Sequence, residues 1–312
     1  MNLARIEAAA ERLQGRIRRT PTVRVDLARE PIGVDDLWLK LECLQVTGSF
    51  KARGATNRLL TLDPAVLKNG IFAASGGNHG LATARAGAMA GVPATIYLPS
   101  NASPAKIEKL KRWGATVEVV GQVWDEAHAA AVAAAKTAGA FYFHPFADAE
   151  VVAGQGTVAL EVLDDIGSAD TFIIAVGGGG LIAGMSTALR ALRPGARIIG
   201  VEPEGSPTLK RSLEAGDVVT LPAVTTKVAT MACGRSDALV FDIIQLEVDD
   251  VVLVSDQDLE RAARWLWFEM GIAADLSGAA SLAALMAGKI EVRPDERICG
   301  LVCGAGPEGI AA

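Results

Sequence analysis

Segments rich in valine and isoleucine alternate with helical ones through most of this chain of 312 residues. No other feature constrains the fold as much. A strand, a helix and a second strand in succession give parallel pairing, and a parallel sheet needs helices on both faces. The spacing predicts strands at 37–41, 71–74, 94–98, 116–120, 141–143, 171–176, 197–201, 248–254 and 298–302. Helices are expected at 1–20, 51–62, 80–90, 104–113, 124–138, 157–166, from the glycines after residue 176 to 192, 257–270 and 278–286. Between 203 and 235 the pattern loosens. The fold class is therefore α/β. No low-complexity linker or internal repeat divides the chain, so two sub-domains would be interwoven rather than strung in series.

Ligands of such sheets sit beyond the carboxyl ends of the strands. Three glycine-rich turns fall there: Ser75 to Asn78, Gly177 to Gly180 and Cys303 to Gly306. The four glycines at 177–180 follow an apolar strand and open a helix. Without Cβ atoms the backbone can wrap an oxyanion, and the helix N-terminus adds amides and a favourable dipole. A phosphate is the natural guest. The same stretch also satisfies a dinucleotide fingerprint, Gly178-Gly179-Gly180-Leu181-Ile182-Ala183, with Glu202 ending the next strand where a ribose-binding acid would stand. A nicotinamide-dependent oxidoreductase is thus an open alternative on local grounds. In Ser75-Gly76-Gly77-Asn78-His79-Gly80 a hydroxyl, exposed amides and an asparagine gather at one helix start, which suits a carboxylate and equally an ordinary helix cap. Cys303 could present a weak thiol donor or be a small buried hydrophobe.

Lys51 lies between Phe50 and Ala52, with Gly48 and Gly54 on either side. Apolar surroundings depress the pKa of an ammonium, and the free amine so produced can attack a carbonyl to form a Schiff base. A lysine at the first turn of a helix is the plain alternative.

Composition removes several classes. Half of the residues are hydrophobic and the net charge is -6, so a packed core is expected and nucleic acid is not a partner. Four cysteines without a Cys-x-x-Cys pair, and three histidines, support neither a zinc site nor a disulfide framework. Reduced thiols fit a cytoplasmic protein. The first twenty residues lack a signal-type apolar core, and the longest apolar stretch, 127–135, is mostly alanine, so no membrane span is expected.

Together these stretches resemble fold type II pyridoxal-phosphate enzymes, in particular the threonine/serine dehydratase and serine racemase branch. The matching pieces are Glu42 to Gln45 with Thr47 to Ala55, Ala74 to Gly80, Ala153 to Thr157, Val176 to Leu181, Gly200 to Pro203, Ser277 to Ala279, and Cys303-Gly304. They occur in family order over nearly the whole chain. The resemblance implies a two-lobed, tryptophan synthase beta-like architecture with parallel sheets covered by helices. A large cofactor-binding domain would comprise 1–69 and 141–312, with a smaller inserted domain at 70–140. It implies pyridoxal 5'-phosphate as cofactor, Lys51 as the Schiff-base lysine and catalytic base, and Phe50 packed near the ring. Asn78 would bond the phenolic oxygen, Gly177, Gly178, Gly179, Gly180 and Leu181 would hold the phosphate, and Cys303 would face the ring nitrogen. Ser75, Gly76, Asn78 and His79 would bind the substrate carboxylate, the last through its amide. A homodimer is implied as well.

The implied reaction is α,β-elimination from a small β-hydroxy amino acid, threonine or serine, giving a 2-oxo acid and ammonia. 3-Hydroxyaspartate dehydration, racemisation and β-replacement are the alternatives within the family. Gly76 stands where serine racemase carries a proton-donating serine, which disfavours racemisation. The branch often holds a divalent or monovalent cation. The Glu202 carboxylate and the Ser206 backbone carbonyl match its ligand positions, whereas Thr208 replaces an aspartate, so a hard cation loses a charged oxygen. Asp275 replaces a glutamate, and the stretch 225–235, which the resemblance would place along the substrate side-chain pocket, matches poorly. Too few residues follow Cys303 for a C-terminal regulatory domain, so feedback control through one is not expected.

Overall fold

The computed structural model describes residues 1–310. Its strands are β1 (Thr22–Arg24), β2 (Asp36–Lys40), β3 (Ile71–Ala74), β4 (Ala94–Leu98), β5 (Thr116–Val119), β6 (Phe141–Tyr142), β7 (Thr171–Ala175), β8 (Arg197–Pro203), β9 (Asp250–Val254) and β10 (Arg297–Leu301). Its helices are α1 (Leu3–Leu13), α2 (Lys51–Leu60), α3 (Pro64–Leu67), α4 (Asn78–Ala90), α5 (Pro104–Arg112), α6 (Trp124–Ala138), α7 (Ala149–Ile166), α8 (Gly180–Leu192), α9 (Thr208–Ala215), α10 (Ala238–Glu247), α11 (Asp256–Met270) and α12 (Ala280–Met286).

Two sheets organise the chain. One has six strands in the order β1-β2-β10-β7-β8-β9, the other four in the order β5-β4-β3-β6. All pairings are parallel except that of β1 with β2. The strands of a parallel sheet covered on both faces read as unbroken apolar runs. β7 obeys this, with all five residues buried. The last strand, β10, inserts between β2 and β7, and this one topological fact builds the site. It brings the carboxyl ends of three strands side by side, so that the segments after β2, β7 and β10 converge.

Each sheet carries its own apolar core. The core of the four-stranded sheet also takes in Ala55 and Leu59 of α2 and Phe143, from outside 70–140. Helix α2 thus packs between the two, and glycines let it approach. A Cβ on Gly154 would lie 2.7 Å from the Cα of Gly54, and one on Gly156 would lie 2.7 Å from the carbonyl oxygen of Gly184. Backbone against backbone leaves no flexible atom to yield, so α2, α7 and α8 can stack this closely only without those side chains.

Those glycines also account for a difference from the sequence expectation. Helix α7 begins at Ala149 rather than at 157, because Asp148 caps it by accepting from the amides of Glu150 and Val151. The N-terminal helix is shorter than expected and ends at Leu13. Helices α3, α9 and α10 and strand β1 are additions. No helix among the described residues is long and apolar enough to cross a membrane.

Candidate active site

The segment 48–50 that precedes α2 is clipped to the segment after β10. Phe50 N–H donates to the Cys303 carbonyl at 3.2 Å, and Ala305 N–H donates to the Gly48 carbonyl at 2.8 Å. The chain reaches this pairing through two left-handed residues, Thr47 (φ 66) and Gly48 (φ 85). Lys51 then starts α2 directly beside Cys303. Two residues on, Arg53 is fully buried and anchors the helix. Its guanidinium donates to both oxygens of Glu42 at 2.7 and 2.8 Å and to both oxygens of Glu161 at 2.7 and 2.8 Å.

The Lys51 amine donates to the Pro145 carbonyl at 2.8 Å and lies 5.0 Å from the centre of the Phe50 ring. No carboxylate pairs with it among the described residues. Burial of the charged form is the main influence, and it lowers the pKa to about 8. Pro145 is held by its neighbours, since His144 Nδ1 accepts from the amides of Phe146 and Ala147.

Lys51 opens onto a cavity that is partly open to solvent. Its lining includes Phe50, Gly177 to Leu181 and Cys303, three of the expected groups together, with Phe146, Thr230, Met231 and Ser277 completing the wall. Among the described residues the amides of Gly178, Gly179, Gly180 and Leu181 have no hydrogen-bond acceptor. Gly179 has φ 90, and a Cβ on Gly178 would run into the Phe146 ring. Four free amides at a helix start in a stretch without side chains form a phosphate cradle, and the amine beside it, with its pKa lowered to about 8, is more readily uncharged for attack on an aldehyde than an exposed lysine. The residues present fit pyridoxal phosphate.

Cys303 is buried, and burial keeps its thiol protonated. Its sulfur lies 3.6 Å from Ser277 Oγ. Ser277 Oγ donates to Asp275 Oδ1 at 2.6 Å, the Gly278 amide donates to the same oxygen at 2.7 Å, and Asn78 Nδ2 donates to Asp275 Oδ2 at 2.9 Å. One hydrogen-bonded chain therefore links Asn78 to Cys303 through Asp275. Burial raises the Asp275 carboxyl above the usual range against the pull of its three donors.

The loop 75–79 follows β3 in the other sheet and does not line the cavity. Ser75 Oγ accepts from the Gly77 amide at 3.2 Å. The His79 ring turns away from the loop and donates from Nε2 to the Phe143 carbonyl at 2.9 Å. Burial drives its pKa to about 3, so the ring is neutral and structural, and only its amide is left for a ligand. Of the residues expected at a cation, the Glu202 carboxylate is engaged within the protein. Glu202 is buried with its pKa pushed up to about 7, and its oxygens accept from the amides of Leu209 at 2.8 Å and Lys210 at 2.9 Å. Ser206 Oγ donates to the Cys233 carbonyl at 2.8 Å. A Glu202 turned onto α9 is also not free to bind a ribose.

Phe146 and Met231 carried no sequence signal. An aromatic after His-Pro and a methionine in an irregular stretch have many ordinary roles. Ser277 lay inside a matched stretch, but its contact with Cys303 depends on the strand order.

Comparison with known proteins agrees with this geometry. A model of the pyridoxal-phosphate dependent enzyme family matches residues 13–304. An L-threonine ammonia-lyase of Geobacter sulfurreducens is 37% identical over 294 residues, covering 94% of this chain and 73% of that one. A catabolic L-threonine dehydratase of Staphylococcus aureus is 35% identical over 306 residues, covering 97% and 88%. Among solved structures, maize serine racemase superposes with a TM-score of 0.92 at 30% identity, covering 97% and 93% of the two chains. The processed form of threonine deaminase isoform 2 from Solanum lycopersicum superposes with 0.90 at 31% identity, covering 97% and 88%. The chain belongs to the pyridoxal-phosphate dependent enzyme family, in its fold type II architecture.

Proposed function

We propose that the chain is a pyridoxal-phosphate-dependent ammonia-lyase acting on threonine or serine. The substrate loses its β-hydroxyl as water, and hydrolysis of the resulting enamine gives a 2-oxo acid and ammonia. The observation that carries this reading is the Lys51 amine, lowered to about 8 and facing the same cavity as the four free amides of the glycine cradle.

Bound pyridoxal phosphate supplies an electron sink that acidifies the Cα–H of an attached amino acid. The amides of Gly178 to Leu181 bind its phosphate. Asn78 Nδ2, fixed by Asp275, keeps a second N–H for the phenolic oxygen, and Cys303 offers the ring nitrogen a neutral thiol. Lys51 is the base. Its amine is placed to take the α-proton, because a pKa lowered to about 8 leaves about a tenth of it uncharged at pH 7 and about half near pH 8. The Ser75 loop, with the amides around Gly76 and His79, receives the substrate carboxylate.

Two observations favour elimination from an uncharged side chain. Apart from Lys51, the cavity lining holds no cationic side chain to pair with the second carboxylate of 3-hydroxyaspartate. Gly76 has no proton to deliver to the other face of the substrate, which argues against racemisation. The four thiols are free, in keeping with a cytoplasmic location, and the family resemblance supports a homodimer with lobes at 1–69 plus 141–312 and at 70–140.

The test is an assay of purified, cofactor-loaded protein with L-threonine, L-serine and 3-hydroxyaspartate, measuring 2-oxo acid and resolving the remaining amino acid by enantiomer. The expected result is 2-oxo acid from L-threonine or L-serine without accumulation of the D-form. Faster formation of D-serine than of 2-oxo acid would replace the lyase by a racemase.

A further inference from the structure

The chain between α9 and α10 forms one wall of the cavity although it contains no helix or strand. Thr230 and Met231 face the cavity, and Ser236 Oγ donates to the Gly178 carbonyl at 3.1 Å. A Cβ on Gly177 would lie 3.2 Å from the Thr230 carbonyl oxygen. The wall therefore rests against the phosphate cradle, and its position decides how much room lies above it. An irregular segment needs fixed points from elsewhere to hold such a position.

The fixed point is Cys233. Its carbonyl accepts from two hydroxyls, Ser206 Oγ at 2.8 Å and Thr208 Oγ1, while its amide donates to Ser206 Oγ at 3.0 Å. Ser206 is 1% exposed and Thr208 is fully buried. Both sit at the start of α9, whose amides at Leu209 and Lys210 are held by the buried Glu202 at the end of β8. A rigid strand thus fixes a helix start, and two hydroxyls on that start fix the wall.

The donor set here does not fit a hard cation. Such an ion requires oxygens with free lone pairs and, for a divalent ion, charge from more than one carboxylate. Position 208 offers a neutral hydroxyl where a carboxylate would be needed, and the lone carboxylate, Glu202, already accepts two amides. Among the described residues no three His, Cys, Asp or Glu side chains gather to hold a metal.

We propose that Ser206 and Thr208 are positioning residues that hold the wall 228–236 against the glycine cradle by hydrogen bonds to Cys233, in place of a bound cation, and thereby set both cofactor affinity and the fit of the substrate side chain. The substrate clause rests on the lyase reading above. The cofactor clause does not.

Thr208→Val removes the hydroxyl at nearly constant shape, Thr208→Ser keeps it, and Ser206→Ala removes the other clamp should the valine variant fail to fold. Pyridoxal phosphate binding is read from the visible band of the loaded protein, independently of any substrate. Loss of one buried hydrogen bond predicts about a tenfold rise in the cofactor Kd for Thr208→Val, with Thr208→Ser within about twofold of wild type. With L-threonine, Thr208→Val raises KM about tenfold with a smaller change in kcat, and serine restores it. Holoenzyme treated with EDTA keeps its cofactor Kd and turnover, and added Mg²⁺, Ca²⁺, Mn²⁺ or K⁺ changes neither. Wild-type cofactor Kd in both Thr208→Val and Ser206→Ala would overturn the proposal, as would a loss on EDTA treatment that a cation reverses. If wild type binds cofactor but turns over no hydroxy amino acid, the lyase reading fails while the cofactor arm still decides the clamp.

Discussion

Lys51 and Asp275 show how far burial alone tunes the site at the scale of single residues. The ordinary lysine pKa lies above 10, so an exposed lysine would be almost wholly protonated near neutrality. Burial without a carboxylate partner brings Lys51 to about 8. Only the unprotonated amine attacks an aldehyde. The rate at which cofactor-free protein develops its visible band on mixing with pyridoxal phosphate should therefore climb with pH, by about tenfold per unit well below the pKa, and level off above about 8. A rise that continued to pH 10 would show an exposed lysine instead. Asp275 accepts from Asn78, Ser277 and Gly278, and an asparagine there has one acceptor oxygen for the same three donors. Asp275→Asn should cost about 1–3 kcal/mol at this position and weaken cofactor binding by about tenfold or more, with an altered band position as Asn78 loses its orientation. An unchanged Kd and band would remove Asp275 from the positioning chain. The sequence showed Asp275 only as a departure from a family pattern. That it joins Asn78 to Cys303 follows from two turns, after β10 and before α12, meeting in space.

At the scale of elements, the decisive packing is glycine against glycine between α2, α7 and α8. Gly154→Ala places a methyl 2.7 Å from the Gly54 Cα with only backbone to receive it. Overpacking of this kind costs about 1–3 kcal/mol, so the melting temperature should fall, and because α2 carries Lys51 at its first position the cofactor Kd should rise with it. Thermal melts and cofactor titration on the same variant test the link, and a lower melting temperature with unchanged cofactor Kd would break it. These glycines also mark the limit of pattern reading. Strand 94–98 lies where its alternating burial places it, strand 71–74 is a short apolar run bounded by glycines, and helix 124–138 follows from its high alanine content. Two glycines in five residues read as a turn, yet they sit inside α7 because helix packing outweighs propensity. Helix α9 gave a weak signal because two of its three buried residues, Thr208 and Ser212, are hydroxyl residues that no apolar pattern records. Helix α10 begins with an apolar run that fits a strand or a helix equally well.

At the scale of the whole molecule, strand order does what no local motif can. With β10 between β2 and β7, residues near position 50, position 178 and position 303 come together although the chain separates them by more than a hundred residues. The class of fold and the identity of the converging turns were legible, because alternation fixes a parallel sheet and glycine clusters mark the ends of its strands. The cavity wall at 228–236 was expected near the side-chain pocket only from the resemblance, since an irregular segment carries no period, and its place depends on hydroxyls at 206 and 208. The most direct test of the account is reduction of the cofactor-loaded protein with borohydride, followed by peptide mass mapping. The account predicts that the visible band is bleached and that the pyridoxyl label is found on the peptide containing Lys51 alone. A label on another lysine, or no visible band after loading with pyridoxal phosphate, would contradict it.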